Sequence, residues 1–137
     1  YHRRKGFVKM GNPTTIVKAK DRSVDAILTS VREGKCYVTQ STKGPFLSID
    51  CHDRYFGEII ETKGKAEFTA SASALNAFSY LEVVFSNGEK MKKRGNKGRV
   101  EIKGEGKKGT WFYLRTFIKI PGLKEWTTAI SNPIWIN

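Results

Sequence analysis

Thr110-Trp111-Phe112-Tyr113-Leu114-Arg115-Thr116-Phe117-Ile118 is the stretch on which the fold turns. Successive residues of a strand point to opposite faces, so Trp111, Tyr113, Arg115 and Phe117 share one face and Phe112, Leu114, Thr116 and Ile118 the other. Both sets are dominated by large apolar groups, which predicts a central strand. Outward from it, short alternating and aromatic runs recur at intervals of about ten to fifteen residues, separated by turn chemistry, the pattern of a β-sandwich. Strands are expected near 16–19, 35–40, 46–51, 65–71, 80–85, 89–92, 99–103, 110–118, 127–130 and 134–136. Asn87-Gly88 is the strongest hairpin signal, since both residues tolerate the positive φ of a type I′ turn.

Only one segment reads as a helix, from Val24 to about Arg32. Val24, Ile27, Leu28 and Val31 fall at i, i+3, i+4 and i+7 and form one apolar stripe. Ser23 is a natural N-cap, Asp25 suits the positive end of the helix dipole, and Gly34 permits the left-handed turn that ends a helix. The fold class expected is therefore all-β, an immunoglobulin-like antiparallel sandwich with one short helix near the N-terminus. A length of 137 residues suits one domain, which at this size buries about two thirds of its unfolded surface. Residues 13–137 are read as that domain, and residues 1–12, basic and polar, as a tail or linker from a missing upstream domain. With Tyr1 in place of an initiator Met, the chain is expected to be a piece of a longer protein. No apolar run approaches the roughly eighteen residues of a membrane span, so no membrane partner is expected. No compartment can be assigned.

The charge is uneven. There are 25 Lys and Arg against 13 Asp and Glu, a formal charge of +12, which attracts anions nonspecifically. Nine of the basic residues lie between Lys90 and Lys108. Lys90, Lys92, Lys93, Arg94, Lys97, Arg99, Lys107 and Lys108 are the candidates for contact with an anionic ligand, read as one basic hairpin. Single-strand binders add aromatic platforms to such charge, and the segment from Ser86 to Thr110 contains no aromatic residue. A solvated basic hairpin is thus favoured over a dedicated nucleic-acid site. Carbohydrate binding is a third reading. Trp111 and Trp135, in strands rich in apolar residues, are expected in the core, and only Trp126 is expected at the surface.

Catalytic chemistry finds little support. Metal centres need several converging ligands, and the chain has two histidines. His52 follows Cys51, so the two would point apart on a strand. Glu58, Glu61, Glu67 and Glu82 are scattered, and Gly104-Glu105-Gly106-Lys107-Lys108-Gly109 reads as an exposed turn with no helix after it. No catalytic residue and no cofactor is assigned to this chain. If Thr42-Lys43-Gly44-Pro45 turns a hairpin, residue 36 faces residue 51, and a Cys36–Cys51 disulfide is geometrically allowed. Closing that loop of about fifteen residues would stabilise by roughly 3 kcal/mol. The alternative is a pair of buried thiols acting as small hydrophobes.

A set of ordered segments carries a resemblance: the helix followed by Gly34-Lys35-Cys36-Tyr37-Val38-Thr39, then Gly44-Pro45-Phe46-Leu47, Leu81-Glu82-Val83-Val84-Phe85-Ser86-Asn87-Gly88-Glu89, Trp111-Phe112-Tyr113-Leu114-Arg115 and Ser131-Asn132-Pro133-Ile134-Trp135. From Gly11 to Ile136 the chain resembles the domain that follows the catalytic barrel in PHP-family (polymerase and histidinol phosphatase) metal-dependent hydrolases. The resemblance implies a non-catalytic accessory domain. Its parent would be a phosphoesterase with divalent metal in an upstream barrel of the same polypeptide, and its basic surface would steer an anionic substrate. It also makes Tyr1-His2 the tail of an Asp-x-His ligand pair, with His2 a metal ligand. The turn at 40–43 is longer than the family's, and the basic segment is not part of its pattern. The rival reading is a stand-alone basic module for nucleic acid or another polyanion.

Overall fold

The structure, a computed structural model, describes residues 13–95 and 98–137. Among them are eleven strands and one helix: β1 (Thr14–Val17), α1 (Val24–Arg32), β2 (Cys36–Thr39), β3 (Phe46–Asp50), β4 (Ile59–Ile60), β5 (Lys65–Leu75), β6 (Ser79–Phe85), β7 (Lys90–Arg94), β8 (Gly98–Lys107), β9 (Trp111–Ile118), β10 (Trp126–Ser131) and β11 (Ile134–Ile136). They form an all-β sandwich with one short helix. An eight-stranded sheet runs β1-β2-β10-β9-β11-β4, with β6 joined to β9 and β7 to β6, and it faces a three-stranded sheet, β3-β5-β8. Every pairing is antiparallel except that of β11 with β4. β9 is central as expected, with β6 along one edge and β10 and β11 sharing the other.

The core lies between the sheets and depends on unequal side-chain sizes. The small sheet turns Ala66, Ala70 and Ala72 inward with Phe68, while the large sheet contributes Leu81, Val83, Phe85, Phe112, Leu114, Ile134 and Ile136. Phe68 stacks on Phe112 at 4.3 Å. At Gly106 a Cβ would lie 2.1 Å from Ile136 Cδ1, so the missing side chain makes room for the isoleucine. Burying one such large apolar side chain contributes about 2–3 kcal/mol.

α1 has the expected limits and caps. Ser23 Oγ accepts from Ala26 N at 3.2 Å. At the other end Gly34 (φ 75) donates to Val31 O and Lys35 to Ser30 O, the paired bonds of a Schellman ending. The stripe, however, faces outward. Ser30 is buried and Ala26 half-buried against the domain, whereas Val24, Ile27, Leu28 and Val31 are exposed, Val24 by 71%.

Two expected pairings do not form. β2 gives one edge to β1 and the other to β10, leaving none for β3, which pairs with β5 in the other sheet. The 36–51 register therefore does not arise, and Cys36 and Cys51 are free thiols. Similarly, the basic segment is not a hairpin. The Asn87-Gly88 turn joins β6 to β7, while β8 crosses to the small sheet and lines β5.

Candidate functional site

β9 buries Phe112, Leu114 and Thr116, so Trp111, Tyr113 and Arg115 project from the outer face of the large sheet. β11 follows the same alternation, with Ile134 and Ile136 buried and Trp135 45% exposed. Register aligns Trp135 with Trp111 on one side and with Ile59, 51% exposed, on the other. The Trp111 ring lies 6.0 Å from Trp135 and 6.1 Å from Tyr113, the latter nearly parallel at 24°. Tyr113 neighbours Val84, and Val84 neighbours Lys90. Lys92 lies opposite Glu82 and Arg94 opposite Tyr80. An aromatic row is thus bordered by the cations of an edge strand.

The adjoining part of this face is held by Arg115. Its Nε donates to Glu82 Oε1 at 3.1 Å, its Nη1 to Thr127 Oγ1 at 3.0 Å and its Nη2 to Glu125 Oε1 at 3.2 Å. The guanidinium lies 4.5 Å above the Phe117 ring, which stacks on Tyr80 at 5.1 Å. Glu82 is only 5% exposed, so the ion pair removes the penalty of a buried lone carboxylate.

The eight candidate cations do not form one site. Lys90, Lys92 and Arg94 share the outer face of the large sheet, although Arg94 Nε already donates to Ala77 O at 2.9 Å. Lys93 pairs with core-facing Leu81 and so leans toward the gap between the sheets. Arg99 and Lys107 lie on the outer face of the small sheet, where Arg99 is engaged by Glu101 at 3.3 Å and Ser71 at 3.1 Å. Lys108 sits in the turn after β8, its N–H on Gly64 O. Lys97 and His2 lie outside the described residues.

Apart from the outer face of the large sheet, a concavity of about 600 Å³ is lined by Asp50, Cys51, His52, Glu67, Lys103 and Glu105 among others. Its one thiol is unsuited to nucleophilic work. Burial, aided by the Asp50 charge, pushes Cys51 up to about 11, and its S–H donates to Glu67 O at 3.4 Å; nucleophiles need the thiolate. His52 is exposed in a turn with φ 51. Among the described residues, no three His, Cys, Asp or Glu side chains converge to hold a metal ion.

Two of the segments singled out for their resemblance, the one from Gly34 to Thr39 and the one from Ser131 to Trp135, meet at one point. Asn132 Nδ2 donates to Gly34 O at 2.8 Å and contacts Cys36 Sγ at 3.4 Å, and Gly57 N donates to Pro133 O at 2.9 Å. Gly57 has φ 86, and a Cβ there would fall 2.3 Å from Gly34 O. Only glycine allows that approach. These residues anchor the end of α1 to β4 and β11; their work is structural.

The aromatic row is hard to see in the sequence because Trp111 and Trp135, in apolar-rich strands, read as core residues. The signal was present in Ile134-Trp135-Ile136, where two isoleucines claim the inner face, and in Arg115, which marks the face of Trp111 as the wet one. Comparison with protein-family models, curated proteins and solved structures finds no match to this chain.

Proposed function

We propose that this chain is a non-catalytic accessory domain of a PHP-type metal-dependent phosphoesterase, packing on the catalytic barrel through α1. The observation that carries this reading is the outward-facing stripe of Val24, Ile27, Leu28 and Val31. A helix whose apolar side faces water, while its small residues lie on its own domain, is suited to docking. In the proteins this chain resembles, the barrel precedes the sandwich, and α1 is the one helix among the described residues, following β1 in the sequence. Any divalent metal would belong to the barrel; His2, which the resemblance assigns to that site, lies outside the described residues. The exposed cations Lys92, Lys93 and Arg94 stand on β7, at the edge of the large sheet opposite β1, so they would attract an anionic substrate only through the long-range field, a steering effect that weakens with salt.

The test is to read the coding sequence immediately upstream of Tyr1 and then measure hydrogen exchange over residues 24–32. A barrel-sized segment with clustered His and Asp, and slower exchange in the longer protein than in this chain alone, is expected. An unrelated upstream sequence, a start codon at that point, or equal exchange in both proteins would overturn the reading. Replacing Lys92, Lys93 and Arg94 by Ser in the longer protein is expected to lower kcat/KM at low salt; an unchanged value removes the steering role.

A further inference from the structure

We propose that the outer face of the large sheet binds single-stranded nucleic acid, with bases stacked on Trp135, Trp111 and Tyr113 and phosphates drawn by Lys90 and Lys92. This inference rests on the sheet face alone and is independent of any docking by α1. Two observations converge on it. The rings form a row at 6.0 and 6.1 Å spacings on a sheet face that no other described element covers, ending in the exposed Trp135. Across the same face Lys90 stands two strands from Tyr113, about 10 Å at ordinary strand spacing, with Lys92 next along the edge.

Aromatic platforms beside a cationic track are how single strands are held without sequence preference, because every base has a π-face. The chain's charge of +12 complements a phosphate backbone. A neutral polysaccharide would use the rings but has no need of the lysines. Lysines on an edge strand also discourage strand addition, yet that role calls for no aromatic row beside them. The sequence alone could not unite these groups, since the cations come from β7 and the rings from β9 and β11.

The measurement is fluorescence anisotropy of a labelled oligothymidylate of about twelve nucleotides titrated with the 137-residue chain, at low and physiological salt, with tryptophan emission followed in parallel. Binding that persists at physiological salt and quenches tryptophan is expected. Trp135→Ala, at an exposed side chain, is expected to weaken it roughly tenfold. Lys90→Ser with Lys92→Ser is expected to flatten the slope of log Kobs against log salt by about 1.4. Binding that disappears at physiological salt, or is unaltered by Trp135→Ala, would overturn the proposal in favour of diffuse charge attraction. Retention on insoluble cellulose or chitin, with no oligonucleotide bound, would overturn it in favour of a carbohydrate platform.

Discussion

The two faces of β9 carry similar side chains and have different fates. Phe112 and Leu114 are fully buried between the sheets, whereas Trp111 and Tyr113, one residue away, remain half-exposed on the outer surface. Hydrophobicity does not separate them; what lies opposite does. The inner face meets Phe68 and the alanines of β5, while no element of the described chain covers the aromatic row. Within the outer face there is a second contrast, between the Arg115, Glu82 and Phe117 cluster, closed by its own bonds, and the Trp135 end, which is open. The inner face and the Arg115 cluster hold the fold, and the Trp135 end stays uncovered among the described residues.

The contrast can be broken by experiment. Phe112→Ala removes a fully buried ring packed on Phe68 and is expected to cost about 4 kcal/mol in urea unfolding. Arg115→Ala strands the Glu82 carboxylate at 5% exposure and is expected to cost about 3 kcal/mol; a double change with Glu82→Ala should recover part of it. A loss below about 0.5 kcal/mol would mean that the Arg115 cluster is decoration.

Alkaline pH probes the interior in a different way. Cys51, ordinarily 9.0, is pushed up to about 11, and Tyr55, ordinarily 10.0, to about 12, both chiefly by burial. The unfolded chain therefore ionises first. Stability from Cys51 is complete below about pH 9 and is lost as the pH rises through about 11, with Tyr55 following one unit higher. A loss on the order of 2 kcal/mol is expected, partly abolished by Cys51→Ala; a flat profile from pH 8 to 11 would show that the thiol is hydrated. The smallest effects belong to the outer surfaces. Trp135→Ala, and Val24→Ser with Leu28→Ser, are each expected to change stability by no more than about 0.5 kcal/mol. If Trp135→Ala matched Phe112→Ala, the distinction between the faces would fail.

Local physics made much of the fold legible. Ser23 and Gly34 bracketed α1 because capping depends on neighbours within one turn, and Asn87-Gly88 turned β6 into β7 for the same reason, although only Gly88 takes a positive φ and the turn is not the expected type I′. The centrality of β9 followed from apolar residues on both faces. Most misreadings were of partnership, although residues 104–107, which read as an exposed turn, continue β8. Thr42-Lys43-Gly44-Pro45 reverses the chain equally well within a sheet or between sheets, so Cys36 was set beside Cys51. The basic run looked like a hairpin because sequence does not say which sheet claims β8.

By itself, then, the sequence determined the element types, the helix ends, the charge and the all-β class, since alternation, capping and turn chemistry act within a few residues. Only the tertiary structure decided which edge each strand satisfies, which apolar face is covered and which cations stand beside which rings. A strand has two edges and two faces, and their occupants come from anywhere in the chain. For that reason the α1 stripe and the Trp135, Trp111 and Tyr113 row, apolar groups that the sequence would place in a core, stand on the surface with no covering element among the described residues.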